Sequence, residues 1–241
     1  MPANTGAAGF PKRDPAKGTT MTRDLFNAEL RQLQDDVLIL GSMTEKAILD
    51  SVEALRDGDA AWSRKIIDDD NRVNHKRFEI ENRTIFVIAS QQPMATDLRS
   101  LASILYIITD LERIADHAEG IARINLLLGE EPLPRKLGFI PTMAERAVEM
   151  LRASLKAYID HDVDAARSIC DSDDAVDQLQ DAVYESSIQA MIADPTSVQR
   201  NTYLIWCAHN LERIADRCTN ICERVVYTVT GHMDELNVSK Y

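Results

Sequence analysis

The sequence contains the same six residues, Leu-Glu-Arg-Ile-Ala-Asp, at 111–116 and again at 211–216, a separation of 100 positions. An identical motif at that separation predicts that the chain consists of two copies of one folding unit. Each motif also carries two carboxylates spaced one helical turn apart, so that they face the same way on a helix. These pairs are Glu112 with Asp116 in the first copy and Glu212 with Asp216 in the second. The repeat therefore predicts a duplicated fold and a duplicated acidic site.

The spacing of apolar residues and the positions of proline and glycine predict six long helices, three in each copy. Their predicted ranges are 22–56, 60–90, 96–128, 142–159, 163–192 and 196–229. The 9 glycines and 8 prolines are few for an all-β protein of this length. The predicted fold class is therefore all-α, with two similar three-helix bundles related by internal duplication.

A linker is predicted at 129–141, where three prolines and two glycines occur close together. The first three-helix repeat is expected at 22–128 and the second at 142–230. Tails are expected at 1–21 and 231–241, and the Gly-, Ala-, Pro- and Thr-rich composition of the N-terminal tail predicts disorder.

The balance of 39 acidic against 27 basic residues gives a net charge of −12, which disfavours binding to a nucleic-acid backbone. No uncharged apolar run approaches the roughly 20 residues that span a bilayer. The N-terminus also lacks the continuous hydrophobic stretch of a secretory signal. The sequence therefore predicts a cytoplasmic protein that binds no nucleic acid and reaches a membrane surface only through other proteins.

Both acidic pairs continue a helix face that is otherwise apolar, unlike the charges of an ordinary solvated surface. Like charges at i,i+4 destabilise an isolated helix by about 0.2–0.5 kcal/mol, so a compensating positive charge is expected. One candidate is an arginine, either within the motif (Arg113 and Arg213) or nearby, such as Arg99. The other candidate is a divalent or trivalent cation.

A cation site would draw carboxylates from more than one helix. The middle helices of the copies align with an offset of 103, and they supply Asp70 in the first copy and Asp173 and Asp177 in the second. Carboxylate-only ligation suits hard cations such as magnesium, calcium, manganese or ferric iron. Asn74 stands opposite Asp177, so a weaker site is expected in the first copy. The spacing leaves arginine pairing and metal binding both open.

The sequence lacks the motifs of several enzyme classes. It has no Gly-rich phosphate loop, no GxSxG and no evident nucleophile–base pair. None of the five histidines has an acid three residues before it, so the Glu-x-x-His motif of di-iron carboxylate bundles is missing. The four cysteines, at 170, 207, 218 and 222, are expected to be small buried hydrophobic residues. A protein without catalytic activity is predicted.

Two segments resemble the signatures of the PhoU family, the phosphate-specific transport accessory proteins. They are QQPMATDLRSLASILYIITDLERIADHAEGIA at 91–122 and NLERIADRCTNICERVVY at 210–227, and the resemblance covers roughly 22–230. It implies two similar three-helix bundles side by side, usually in a cytoplasmic homodimer. It also implies a regulator that restrains the phosphate-starvation response, as an adaptor between the ATPase of a phosphate ABC transporter and a sensor histidine kinase.

The resemblance further implies metal sites, because some members of the family carry iron, zinc or other metals on surface acids. The matching positions here are Asp70, Glu112, Asp116, Asp173, Asp177, Glu212 and Asp216. The second copy departs from the family pattern because it lacks the Gln-Pro and Asp-Leu-Arg stretch of 91–99. That stretch, with Arg99, is expected to lie nearest the partner interface. A structural ion pair between Arg99 and a buried acid is the competing interpretation.

Two other functions stay open from the sequence. One is a metal-storage or metal-dependent hydrolytic bundle, which the lack of histidine ligands disfavours. The other is a structural dimer whose acids are only solvated, which the repetition of the acids disfavours.

Overall fold

In a computed structural model, the described residues are 15–129, 137–233 and 236, with side chains described from residue 23 onward. The α-helices within these ranges are α1 Pro15–Asp57, α2 Ala60–Gln91, α3 Ala95–Leu128, α4 Ile140–Asp160, α5 Val163–Cys170, α6 Asp174–Ala193 and α7 Val198–Thr230. A short 3₁₀ turn, Pro195–Ser197, precedes α7. These ranges contain no strand, and the predicted all-α class is confirmed.

Aspartates cap corresponding helices in the two copies. At the start of α2, Asp59 accepts a hydrogen bond from the Trp62 backbone N–H at 2.8 Å. At the start of α5, Asp162 accepts one from the Ala165 backbone N–H at 2.9 Å. Such a cap stabilises a helix by about 1 kcal/mol. The duplication has therefore kept the start of the second helix in both copies.

The single helix predicted at 163–192 is wrong, because a turn at 171–173 divides it into α5 and α6. Asp and Ser side chains in this turn compete for backbone hydrogen bonds and lower helix propensity. The Ser172 hydroxyl donates to the Ser168 carbonyl at 3.1 Å. The Val176 N–H donates to the Asp173 carbonyl at 2.8 Å, a tight turn three residues long. In the described ranges the second copy thus has four α-helices where the first has three.

The first helix also begins earlier than predicted, at Pro15 instead of residue 22, so the predicted tail at 1–21 is too long. Proline is accepted in the first turn of a helix because the N–H that it lacks has no partner there. Residues 1–14, 130–136 and most of 231–241, which the sequence assigned to tails and linker, lie outside the described residues.

The two helices that carry the repeated motif, α3 and α7, run antiparallel at the centre of the molecule. Along this contact the Thr228 hydroxyl donates a hydrogen bond to the Ser103 hydroxyl at 2.7 Å. Further along, Asn220 donates to Asp110 at 3.2 Å, and beyond that position 117 lies beside position 210. In these contacting pairs the residue number increases along α3 while it decreases along α7 by a similar amount, as in two antiparallel helices. This pairing is the one expected when an approximate twofold axis relates the copies.

The remaining helices build one core around this central pair. α1 packs on α4, where Arg152 Nη2 lies 2.6 Å from Glu45 Oε1. α2 covers α1 and α3, while α5 and α6 cover α4 and α7. One large apolar cluster runs through both copies, a smaller one of Ala54, Ile66 and Ala122 lies in the first copy, and the four cysteines are buried, as expected. The acidic residues of α3 and α7 are therefore held on helices that a common core fixes.

Candidate functional site: two carboxylate clusters

The first cluster consists of Asp70 on α2 and three carboxylates on α3, Glu112, Asp116 and Glu119. Burial and the proximity of those three carboxylates raise the pKa of Asp70 to about 6. The Asn74 side-chain amide donates to Asp70 Oδ2 at 2.7 Å. Among the described residues Asp70 Oδ1 has no hydrogen-bond partner, although it is buried. The negative charge at Asp70 is therefore incompletely compensated.

Arginines compensate the rest of the first cluster in part. Arg113 approaches Glu112 Oε2 at 3.4 Å and Asp116 Oδ2 at 2.9 Å. Arg123 approaches Glu119 Oε1 at 2.5 Å. Burial and the Asp116 carboxylate nevertheless raise the pKa of Glu112, against the opposing effect of Arg113. Arginine pairing, one of the two compensations that the sequence left open, is thus present.

The second cluster consists of Asp173 just before α6, Asp177 one turn later, and Glu212 and Asp216 on α7. Asp173 is 2% exposed and Glu212 is 8% exposed. Burial and the nearby carboxylates raise the pKa of Glu212 to about 7, and they also raise the pKa of Asp177. Arg213 lies 3.0 Å from Glu212 Oε2 and 2.8 Å from Asp216 Oδ2. Arg213 thus pairs with both motif carboxylates of this cluster.

His209 on α7 borders the second cluster, although no motif in the sequence predicts it there. Its Nδ1 lies 3.5 Å from Glu212 Oε2 and 3.5 Å from Gln180 Nε2. Burial and the Arg213 guanidinium lower the pKa of His209, so its ring is neutral at pH 7. The acid follows this histidine by three residues. A search for Glu-x-x-His, with the acid first, therefore could not have found the pair.

The structure gathers the predicted acids into these two clusters, each made within one copy. Asp70 joins the first motif, and Asp173 and Asp177 join the second. Glu119 was not among the predicted ligands, although its position seven residues after Glu112 places it on the same helix face. In the described part of the chain, no three His, Cys, Asp or Glu side chains are arranged to hold a metal ion. Metal binding therefore stays a prediction.

A cavity of about 310 Å³ opens beside the first cluster, between α1, α2 and α3. Asp70 and Glu119 line it together with Lys46, Arg72 and apolar side chains. Lys46 is turned toward Asp50, with 2.6 Å between Nζ and Oδ2. The cavity gives room for a small hydrated ion beside the first cluster.

Arg99 lies near the start of α3, against the end of α7. Its Cζ is 3.5 Å from the position that a Cβ on Gly231 would occupy, and its Nη2 is 3.4 Å from Thr96 Oγ1. The C-terminal end of a helix is a favourable place for a cation. No ion pair between Arg99 and an acid occurs among the residues described, so the competing interpretation as a partner of a buried acid is not observed there. The role of Arg99 in partner binding stays a prediction.

Both copies match the family model described as the PhoU domain, at residues 37–124 and 140–225. The chain belongs to the PhoU family. The first matched range falls within α1 to α3, and the second spans α4 to most of α7. The duplication seen in the sequence is therefore a pair of PhoU domains, and each carboxylate cluster lies within one domain.

Relatives of this PhoU-family protein are similar over nearly its whole length. It is 38% identical over 218 residues to the phosphate-specific transport system accessory protein PhoU homolog of Clostridium acetobutylicum, covering 90% of this chain and 100% of that protein. It is 32% identical over 206 residues to the phosphate-specific transport system accessory protein PhoU of Escherichia coli K12, covering 86% of each.

Crystal structures show the same fold. PhoU from Pseudomonas aeruginosa aligns with a TM-score of 0.78 at 32% identity, over 86% of this chain and 100% of that one. The phosphate transport system regulatory protein PhoU from Streptococcus pneumoniae aligns with a TM-score of 0.80 at 32% identity, over 87% and 99%. Among the described helices, none combines the length and apolar character needed to cross a bilayer.

Proposed function

We propose that this PhoU-family protein is a non-enzymatic regulator of phosphate uptake and of the phosphate-starvation response. It acts as a cytoplasmic adaptor between the ATPase of a phosphate ABC transporter and a sensor histidine kinase. The match of both copies to the PhoU domain carries this proposal. Relatives named as accessory proteins of the phosphate-specific transport system support it.

The two carboxylate clusters are better suited to binding a partner than to catalysis. Arg113 and Arg213 pair with carboxylates of their own motifs, and no nucleophile–base pair accompanies them in the sequence. Fixed charges on helices held by a common core give a partner a defined orientation and register. Such surfaces are what an adaptor needs.

Metal binding by the clusters is part of the proposal. In the first copy Asp70 would hold a cation with Glu112 and Asp116. In the second, Asp173 and Asp177 would do so with the acids of α7. The buried, unsatisfied Asp70 Oδ1 supports the fit, since a bound cation favours ionised carboxylates. Iron, zinc, manganese, magnesium and calcium are the candidate ions. A bound ion would link two helices and would require the motif arginines to release their acids.

The adaptor role is tested by capturing membrane proteins on the tagged protein. Solubilised membranes from phosphate-replete and phosphate-starved cells are compared under the same conditions. We expect recovery of the transporter ATPase and of a sensor kinase, in a ratio that depends on phosphate. Recovery of neither protein from either membrane, by a tagged protein whose circular dichroism shows folded helices, would reject the role. Sedimentation of the purified chain tests the proposed homodimer, and a monomeric mass would reject it.

The proposed lack of catalysis is tested by a phosphatase assay across the candidate metals. No turnover is expected. Phosphate release that copurifies with the protein and disappears in Glu212→Ala would show that the protein is an enzyme.

A further inference from the structure

Three arginines form a row along the contact between α3 and α7, although the protein carries a net charge of −12. This arginine row consists of Arg99 near the start of α3 and Arg217 and Arg224 on α7. Arg217 Nη1 lies 3.5 Å from Asp110 Oδ1 of α3. Arg224 stacks on the Tyr106 ring of α3, with 4.6 Å between its Cζ atom and the ring centroid. Arg99 lies against the end of α7, where its Cζ is 3.5 Å from the position that a Cβ on Gly231 would occupy. Each arginine of the row therefore contacts the opposite helix of the central pair.

The three arginines are evenly spaced along this contact. Arg217 and Arg224 are seven residues apart on α7, and Arg99 lies beside Gly231, seven residues further on. Side chains at this spacing lie on the same face of a helix, and seven residues rise about 10.5 Å. One phosphate or sulfate ion is too small to contact all three guanidinium groups at such steps. The arginine row therefore fits an extended anionic partner.

The arginine row carries more positive charge than the neighbouring carboxylates balance. Asp110 is the acid that faces the row, since burial raises its pKa and the nearby Arg217 and Arg224 oppose that rise, as does a hydrogen bond from Asn220. Within the described ranges, Arg99 and Arg224 form no ion pair, and the Nε atoms of all three arginines lack a hydrogen-bond partner. The Arg217 side chain is 37% exposed and Tyr106 is 53% exposed, so a partner can reach this surface.

The packing of α3 on α7 does not account for the arginine row. The two helices are equivalent in the repeat, so the other end of their contact shows which residues the packing needs. The positions equivalent to Arg99, Arg217 and Arg224 are occupied there by Gln199, His117 and Ile124. None of these three has a guanidinium group, and the helices pack at that end as well. The row is therefore an addition at one end of a duplicated contact.

We propose that the arginine row, with Tyr106 between its members, binds an acidic helical segment of a protein partner. Glutamates or aspartates seven residues apart on one face of that helix repeat at the same distance as the arginines. Each guanidinium group pairs with one carboxylate, and a helix fits the groove between two antiparallel helices. Charge complementarity selects this occupant, because a basic segment is repelled by the row. A broad anionic membrane surface is repelled by the acidic remainder of the protein, whereas a narrow helix contacts the row alone.

The inference gives the partner of the proposed adaptor a chemistry and rests on that role. Its test uses a defined peptide in place of the transporter ATPase or the kinase, so the two proposals fail separately. The probe is a fluorescein-labelled helical peptide with three glutamates at seven-residue spacing and otherwise uncharged. A second peptide carries glutamine in place of each glutamate, and a third carries the three glutamates on consecutive turns. Anisotropy titrations with the full-length protein contain a chelator, which removes any cation that could bridge the peptide to the carboxylate clusters.

We expect an affinity for the first peptide about tenfold higher than for the glutamine peptide, and a preference over the third peptide. Arg99→Gln with Arg224→Gln should weaken binding of the first peptide about tenfold. The matched control, Arg31→Gln with Arg64→Gln, removes the same charge from exposed positions of α1 and α2. It should change the affinity by less than about twofold, because those positions lie away from the row.

Equal affinity for the glutamine peptide, or for the peptide with glutamates on consecutive turns, would overturn the proposal. Equal weakening by the two double variants would overturn it as well, since only the net charge would then matter. Phosphatidylglycerol vesicles are a further arm, and cosedimentation that only Arg99→Gln with Arg224→Gln abolishes would show that the row faces a membrane instead. Circular dichroism verifies that each variant is folded. The peptide comparison on the unaltered protein needs no variant, so it decides the question even where a variant loses helix content.

Discussion

The two carboxylate clusters share a motif but differ in the outer helix that faces them. In the first copy an unbroken α2 contributes one acid, Asp70, to the cluster and carries six basic residues. In the second copy a broken helix brings Asp173 and Asp177, and α6 carries no basic residue. Burial, Asp216, Asp177 and Asp173 raise the pKa of Glu212 to about 7, whereas burial and Asp116 raise the pKa of the equivalent Glu112. The outer helix, more than the repeated motif, therefore sets the charge balance of each cluster.

This contrast predicts that the ionised Glu212 destabilises the folded protein more than the ionised Glu112 does. Burial and neighbouring acids put the folded-state pKa of Glu212 at about 7, above its ordinary value of 4.5. Ionisation in the folded state is therefore unfavourable, and the stability lost appears as pH rises from about 4.5 to about 7. Glu212→Gln should stabilise the protein by about 1–2 kcal/mol at pH 8 after allowance for solvent screening, and by less at pH 5.

Glu112→Gln, at the same motif position in the first copy, is the matched control. Burial and Asp116 raise its pKa as well, but Arg77 joins Arg113 in opposing that rise, and no carboxylates equivalent to Asp173 and Asp177 add to it, so a smaller gain is expected. Urea unfolding of the three proteins at pH 5 and pH 8 measures both differences. If the two variants gain equal stability at pH 8, the charge balance of the clusters does not differ as described.

The same contrast predicts unequal metal affinity. Asn74 donates its amide to Asp70 in the first cluster, whereas the equivalent position in the second cluster is the carboxylate of Asp177. A neutral amide in place of a charged carboxylate lowers affinity for a hard cation, and we expect about a tenfold weaker first site. Metal titration and elemental analysis of Asp216→Ala should therefore show a larger loss than those of Asp116→Ala.

Two results would contradict this prediction. One is an equal loss of metal in both variants, and the other is a parent protein that takes up no metal. Asn74→Asp offers a sharper version, because it should raise the affinity of the first site toward that of the second without touching the motif.

The smallest expected effect concerns Arg99, which Gln199 replaces at the matching position of the second copy. Arg99→Ala should leave helix content unchanged and alter stability by about 0.3–1 kcal/mol, the usual contribution of a cation at a helix C-terminus. Capture of the transporter ATPase or kinase should fall, since arginine is enriched among interface residues that dominate affinity. Arg31→Ala, at an exposed position of α1, is the control. A collapse of helix content in Arg99→Ala would instead assign this residue a structural role.

Much of the fold was predictable because the repeat is local and strongly periodic. The identical motif predicted that α3 and α7 would be equivalent, and the offset of 103 brought Asp70, Asp173 and Asp177 to the correct clusters. The turn at 171–173 was missed, because Asp173 was interpreted as a ligand on a continuous helix that also contained Asp171 and Ser172. Their capacity to compete with backbone hydrogen bonds was the signal that mattered.

The contacts between the copies were beyond the reach of the sequence. The motif does not predict the hydrogen bond from Asn220 to Asp110, because that contact depends on how two helices far apart in the sequence cross. The choice between arginine pairing and a cation was open for a similar reason. Rotamers of Arg113 and Arg213 decide which atoms approach the carboxylates, and periodicity does not encode rotamers.

The large apolar cluster that runs through both copies has a mechanical consequence. A hinge motion that separated the two copies would have to expose the α1–α4 and α3–α7 contacts to water. Each fully buried leucine or isoleucine so exposed costs about 1.5–3 kcal/mol, which makes such an opening rare. We therefore expect the molecule to move as one stiff body. A metal ion bound at a carboxylate cluster would then affect a bound partner protein by changing the local electric field, without changing the positions of the helices.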